Sequence, residues 1–280
     1  MASKASLVGG FALVTGAAAG IGKETALEFA EAGAEGVAFA DLNLEGAQKA
    51  AEESKQFATI PGFRAIAIHV DVTQEDSVKS MVDTVMKEFR RIDYSINSAG
   101  MGNVSGATVQ HLKVDVFSKT IETNIKGTML CVRAVSEVMA QQEPLTYKSR
   151  RHGERSLGRG SIVNLGSINS YIAAPGMLSY TTSKHAVIGL TKSAAIDCLK
   201  SHIRVNAVCP SWVDTPMNKA SLERVPQLGK MIQTMAPLRR VANTEEVADY
   251  ILFLCSPSAS YINGTGLCID SGMTLTSHAT

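Results

Sequence analysis

Short apolar runs alternate with longer stretches of helical spacing along most of the chain. Residues 11–15, 37–41, 65–70, 94–98, 161–165, 204–208 and 267–270 read as strands. Between them, residues 20–32, 44–57, 114–139, 179–199 and 245–254 repeat apolar positions at the helical period. Thr73 is placed as an N-cap with Asp76 in the first turn, opening a further helix to about Glu88. The strand runs are apolar throughout rather than alternating, as expected for strands buried on both faces. Strand, helix and strand in regular succession predict right-handed crossovers. The expected fold is therefore one α/β domain over residues 1–280, a doubly wound parallel sheet with helices on both faces.

Two segments break the rhythm. Residues 141–160 are polar and basic, with Lys148, Arg150, Arg151, Arg155 and Arg159, and show no apolar period. They read as an exposed, mobile loop inserted between a helix and a strand. Residues 211–240 hold scattered apolar side chains and Pro216, Pro226 and Pro237 after a strand's carboxyl end. Ligand lids sit at such places.

Composition narrows the classes. The chain has 280 residues, 45% hydrophobic and 19% charged, with a formal charge of +1. Such a balance favours neither nucleic acid nor an anionic membrane as a partner, and the basic insertion lacks the interleaved aromatics of a nucleic-acid surface. No apolar stretch reaches the length of a membrane span, and residues 1–10 show no secretory signal. Five cysteines include no C-x-x-C pair, and six histidines form no metal-binding spacing. Free thiols in a reducing, cytoplasmic compartment and no catalytic metal are expected.

The chemistry concentrates at strand ends. The first strand runs into Thr15-Gly16-Ala17-Ala18-Ala19-Gly20-Ile21-Gly22 and then a helix. A diphosphate must approach the main chain closely and sit over a helix N-terminus, so glycines at 16, 20 and 22 suit a dinucleotide. Asp41 ends the second strand, where a carboxylate accepts from both adenosine ribose hydroxyls and repels a 2′-phosphate. Ala18, Ala19 and Leu42 supply no neutralising cation, and Lys23 lies within the following helix. NAD is thus preferred to NADP. Asp71, next to Val72, is either an acceptor for the adenine amino group or a solvated strand end. Asn97-Ser98-Ala99-Gly100 lets backbone pass beneath a cofactor, with Asn97 tying down neighbouring strands.

Tyr180 and Lys184 stand four residues apart on one helix face. A free phenol titrates near ~10. A neighbouring ammonium and a cationic nicotinamide are expected to lower that toward neutrality, making Tyr180 a general acid and base. Ser167, just past a strand, is placed to hold the substrate oxygen. Asn124, inside a helical pattern, either bends the helix or holds a water linking Lys184 to solvent.

In these motifs the sequence resembles the short-chain dehydrogenase/reductase family from about Phe11 to Met273, nearly its whole length. The resemblance implies a Rossmann-like fold and a catalytic tetrad of Asn124, Ser167, Tyr180 and Lys184. It also implies that Lys184 binds the nicotinamide ribose and that Pro210, Val213 and Thr215 hold the carboxamide. Gly16, Gly20, Ile21, Gly22, Asp41, Asp71, Val72, Asn97, Ala99, Gly100 and Tyr180 complete the implied NAD site. Family members are usually homotetramers, less often dimers. Three motifs depart from the family pattern: Asn97-Ser98, Pro210-Ser211 and Asp270-Ser271-Gly272 stand where it has Asn-Asn, Pro-Gly and Asp-Gly-Gly. The insertion resembles those of fungal members that tailor secondary metabolites. The expected activity is hydride transfer between NAD(H) and a secondary alcohol or ketone on a small, largely apolar molecule, cyclic, terpenoid or polyketide-like. The alternatives are a catalytically silent NAD-binding scaffold, an NADP-dependent ketone reductase, and a dehydratase or isomerase that uses bound cofactor.

Overall fold

The computed structural model describes residues 7–276; the first six residues of the segment read for a secretory signal lie outside them. Seven strands form one parallel sheet: β1 (Phe11–Thr15), β2 (Gly36–Asp41), β3 (Arg64–His69), β4 (Tyr94–Asn97), β7 (Gly160–Leu165), β8 (Ile203–Pro210) and β9 (Gly266–Ile269). Their order is β3-β2-β1-β4-β7-β8-β9. The order reverses between β1 and β4, and these strands pair in register with Thr15 opposite Asn97. Ligands of open α/β sheets bind beyond the carboxyl ends of the strands at this switch point.

Strand alternation builds two cores from one sheet. Ala12 and Val14 face a cluster with α1 (Gly20–Glu31), α2 (Leu44–Ser54) and α9 (Thr244–Cys255). Phe11 and Leu13 face the other cluster, with α3 (Glu75–Phe89), α5 (Thr128–Met139) and the end of α6 (Leu178–Asp197). Burial on both faces is why β1, β2, β4 and β7 read as unbroken apolar runs.

Several expectations change in detail. The helix read over 44–57 ends at Ser54, and the N–H groups of Lys55, Gln56 and Phe57 turn back three residues instead. Thr73 is not the N-cap of α3; Gln74 is, and the Thr73 hydroxyl donates to Asp71 Oδ1 at 2.7 Å. The single helix read over 114–139 is three pieces: α4 (Val114–Ile121), a π-helical turn at Glu122–Gly127, and α5. Gly127 lies where a Cβ would stand 2.8 Å from Val72 Cγ2, so the widened turn also packs against the loop after β3.

The segment 141–160 is not irregular. It forms an antiparallel hairpin of β5 (Leu145–Ser149) and β6 (Gly153–Gly158). Leu145 turns toward the core, Arg155 donates to the Pro257 carbonyl at 2.8 Å, and the Arg155 guanidinium covers the Tyr147 ring. Gln142 fixes its base, bonding both main-chain polar groups of Ile92. These long-range partners order a stretch whose own composition gives no period. The hairpin stands at the amino ends of the strands, away from the switch point. Residues 211–240 hold two short helices, α7 (Pro216–Arg224) and α8 (Leu228–Met235).

A buried polar chain crosses the sheet centre. Asn97 Nδ2 donates to Asn164 Oδ1 at 2.8 Å, and Asn164 Nδ2 donates to Thr191 Oγ1 at 2.9 Å. It links β4, β7 and α6. Asn164→Ala should cost about 2–3 kcal/mol, because it strands the Asn97 amide in the interior. Urea unfolding measures this, and an unchanged midpoint would show that the chain is dispensable.

Candidate functional site

The turn after β1 wraps tightly over the end of β4. Gly16 has φ +71°, and a Cβ there would stand 2.8 Å from the Ala99 nitrogen. A Cβ on Gly22 would stand 2.2 Å from the Gly16 carbonyl oxygen. Gly20, also at positive φ, lies beneath Thr215, with 3.3 Å from its would-be Cβ to Thr215 Cγ2. The N-cap of α1 is Ala19, with no side-chain cap and no acidic residue in the first turn. The orphan N–H groups and dipole there suit an anionic diphosphate. The buried Asn97 Oδ1 has no hydrogen-bond partner among the described residues. Ala99 N donates to Thr15 Oγ1 at 3.3 Å, closing the two loops on each other.

Asp41 reaches back to this turn. Its Oδ2 accepts from Ala18 N at 2.9 Å and its Oδ1 from Asn43 N at 2.8 Å. Each carboxylate oxygen keeps a second lone pair for a ribose hydroxyl. Lys23 is paired with Glu53 at 2.7 Å, so the cation nearest the site in sequence is already engaged. Asp71 Oδ1 accepts from the Thr73 N–H and hydroxyl, a local turn ahead of α3. Val72 is buried beside the π-helical turn.

Ser167, Tyr180, Lys184 and Asn124 converge beyond β7. Ser167 Oγ accepts from Asn169 N at 3.2 Å, which leaves its own hydrogen available, and the hydroxyl is the polar neighbour that opposes the upward push of burial on the Tyr180 phenol. Lys184 Nζ lies 5.6 Å from the Tyr180 ring centroid and donates to the Leu165 carbonyl at 2.7 Å. The amine is thus over the ring face. Asn124 sits in the π-helical turn and clips the main chain of Met101 twice. Its Oδ1 accepts from Met101 N at 2.7 Å, and its Nδ2 donates to Met101 O at 3.0 Å. Gly100 faces this amide, with 3.2 Å from its would-be Cβ to Asn124 Oδ1.

The expected lowering of the Tyr180 pKa by Lys184 is absent. Burial pushes the phenol up, the neighbouring Ser167 hydroxyl opposes that, and Cys209 adds to the rise. Burial also holds the Lys184 amine down at about 8. The phenol therefore stays neutral at neutral pH, while the amine keeps its proton there but releases it more readily than a free lysine. The reason is spatial: four residues on a helix bring the amine to the ring, while the phenol's polar end meets Ser167 in a desolvated niche.

Past the sheet's carboxyl edge, Pro210 ends β8, and Val213 is buried in a bridge to Ala242. Thr215 Oγ1 caps α7 by accepting from Asn218 N at 3.1 Å. Met217 rests over Gly102, with 3.0 Å from a would-be Cβ to its Sδ. Tyr171 donates its hydroxyl to the Gly266 carbonyl at 3.0 Å, which anchors the turn after Ser167 on β9. Sequence reading missed Ser183, which joins Asn124 to Tyr180, and Asn169, whose N–H orients Ser167. Nothing periodic marks either residue. Among the described residues, no group of His, Cys, Asp and Glu could hold a metal, and no helix is long and apolar enough to cross a membrane.

A family model described as "Enoyl-(Acyl carrier protein) reductase" matches residues 16–274. The chain is 48% identical over 266 residues to short-chain dehydrogenase anuF of Penicillium roqueforti, covering 95% of this chain and 96% of that one. It is 46% identical to short-chain dehydrogenase srdC of Neurospora crassa, covering 96% and 98%. The fold superposes with TM-score 0.83 on 7α-hydroxysteroid dehydrogenase complexed with NADH and 7-oxo glycochenodeoxycholic acid, at 28% identity and 95% coverage of both chains. The chain therefore belongs to the short-chain dehydrogenase/reductase family, oxidoreductases of alcohols and ketones that use a nicotinamide cofactor.

Proposed function

We propose that the protein is an NAD-dependent dehydrogenase of a secondary alcohol, with Tyr180 as the group that takes and returns the hydroxyl proton. The observation that carries this reading is the buried Lys184 amine, anchored on the Leu165 carbonyl and 5.6 Å from the Tyr180 ring, with Ser167 at the same carboxyl edge of the sheet. The glycine turn, the uncapped α1 N-terminus and the unpartnered Asn97 Oδ1 fit a dinucleotide at the switch point. Gly16, Gly20, Ile21 and Gly22 would line its diphosphate, Asp41 its adenosine ribose, and Asp71 and Val72 its adenine. Asn97, Ala99 and Gly100 would lie beneath it, and Pro210, Val213 and Thr215 beside its carboxamide. When bound, a nicotinamide exchanges hydride with the carbon bearing the substrate oxygen.

The chain's own groups handle the proton. Ser167 donates to the substrate oxygen or to the phenol, and so holds the two together. Tyr180 then accepts the hydroxyl proton within hydrogen-bond reach. Lys184 would hold the nicotinamide ribose and, in its charged form, favours the ionised phenol. Beside a bound cationic nicotinamide the phenol would titrate lower than in the protein alone.

Asp41 supports NAD over NADP, and with it alcohol oxidation as the cellular direction. Steady-state rates of reduced-cofactor formation over a panel of secondary alcohols test this. NAD should exceed NADP in kcat/KM by roughly 100-fold, the effect of a like-charge contact of a few kcal/mol. Asp41→Ser should collapse that ratio; an unchanged ratio would remove Asp41 from the selection. The lid at 211–240 and its Met217 support a largely apolar substrate, cyclic, terpenoid or polyketide-like, in keeping with a tailoring step of fungal secondary metabolism. Exposed Val114, Ile196 and Leu199 support assembly with further copies as a dimer or tetramer, and free cysteines suit a cytoplasmic protein. Residues 1–280 then act as one catalytic domain.

A further inference from the structure

We propose that Ser183 is a positioning residue that holds Tyr180 in place by tying its helical turn to the π-helical turn at Asn124. The proposal rests on the reading of Tyr180 as the proton-transfer group.

Ser183 is fully buried, one residue before Lys184. Its Oγ accepts from Asn124 Nδ2 at 3.0 Å and donates to the Tyr180 carbonyl at 2.7 Å. The donor count closes. The Asn124 amide has two hydrogens, one for the Met101 carbonyl and one for Ser183. The serine hydroxyl has one hydrogen, and Tyr180 takes it. Each bond therefore has a fixed direction, and the chain Asn124 to Ser183 to Tyr180 is polarised along its length. The π-helical turn presents Asn124 to both Met101 and Ser183, which lie on different elements. Such turns concentrate at functional sites.

The opposite side of the same turn is held in a similar way. Ser170 Oγ donates to the Lys184 carbonyl at 2.8 Å and accepts from Ser167 N at 3.3 Å. Ser170 thus ties the Lys184 backbone to the loop of Ser167, and Ser183 ties the Tyr180 backbone to the loop of Met101. With both ties in place the phenol stays in register with Ser167. The Ser167 hydroxyl opposes the upward push of burial on the phenol. Release of the Ser183 tie lets the turn shift, the Ser167 contact loosen and the phenol titrate higher.

Ser179 provides an internal control. It lies one turn earlier on the same face of α6 and is buried, yet its hydroxyl has no hydrogen-bond partner among the described residues. Ser179→Ala removes an equal volume of the helix face without breaking a bond.

The test is an ultraviolet difference titration of phenolate in the full-length protein, with the Tyr180→Phe trace subtracted to isolate Tyr180 from the other tyrosines. Ser183→Ala should raise the Tyr180 midpoint by about half a pH unit or more, within the range of a lost hydrogen bond to the charged form. Ser179→Ala should leave it in place. With NAD and a secondary alcohol that the wild-type protein oxidises, the rising limb of the kcat profile should move the same way. At neutral pH kcat should fall at least roughly threefold, the change that half a pH unit makes in the ionised fraction, with KM for NAD unchanged. Should Ser183→Ala not fold, Ser183→Cys keeps the volume and supplies a weaker donor, and its midpoint should lie between the two. A wild-type midpoint in the Ser183 variants, or an equal shift in Ser179→Ala, overturns the proposal. If Tyr180→Phe is inactive while the midpoint does not move, the positioning role alone fails. If Tyr180→Phe keeps wild-type turnover, the catalytic reading fails instead.

Discussion

Tyr180→Phe should lower alcohol turnover by at least about 1,000-fold while NADH affinity changes less than about twofold, in the range that a positioned acid–base group contributes. The ring and its packing beneath Lys184 are kept, and only the hydroxyl is removed. The loss should therefore fall on kcat, as for a group that acts in the transition state alone. Stopped-flow single turnovers and NADH fluorescence titration separate the two quantities. Turnover within tenfold of wild type would transfer the proton step to another group.

The ionisation state gives this result a pH signature. Burial pushes the phenol above its ordinary value, so at neutral pH the protein alone holds it protonated. Alcohol oxidation requires the ionised form as acceptor. Its rate should rise with pH through the Tyr180 midpoint in the NAD complex, and Tyr180→Phe should abolish that limb along with the activity. A ketone-reduction assay should show the reverse slope, because the protonated phenol is then the reactive form.

The second large effect concerns the glycine turn. Gly22→Ala places a methyl 2.2 Å from the Gly16 carbonyl oxygen, a backbone atom that cannot rotate away. The turn must open, which detaches Gly16 from Ala99 and displaces the α1 N-terminus. A loss of several kcal/mol is expected, above about 3 kcal/mol on the scale of severe overpacking, with dinucleotide affinity lost as well. Gly189→Ala is the counter-example. That glycine lies on the exposed face of α6 with nothing within 4 Å of the added methyl. The same substitution there should stabilise by about 0.5–1 kcal/mol, the ordinary helix preference for alanine over glycine. Thermal unfolding of the two variants should shift in opposite directions. Equal shifts would mean that the turn yields more readily than its contacts imply.

These cases show where sequence reading reaches its limit. The glycines at 16, 20 and 22 are legible because a strand precedes them and a helix follows. Tyr180 and Lys184 are legible because the helical period puts them on one face. The direction of the Tyr180 shift is not legible, since it depends on which atoms crowd the phenol. Ser167, Cys209 and the burial of the niche come from β7, β8 and the loop after β7. Residues 114–139 carry a continuous apolar stripe, and the π-helical turn inside them arises from packing against Val72, Met101 and Ser183.

The order of apolar and polar positions by itself determined the alternation of strands and helices, the parallel sheet and the place of the glycine turn, because these depend on local period and on short-range glycine sterics. Tertiary structure alone decided the hairpin at 145–158, the break in the helix at Asn124, the anchoring of Tyr171 on β9 and the Asn124–Ser183–Tyr180 connection. Each of these depends on a hydrogen bond or a packing contact to a residue distant along the chain. Such a partner leaves no mark on the spacing of either residue, so it exists only once the sheet has brought the two ends together.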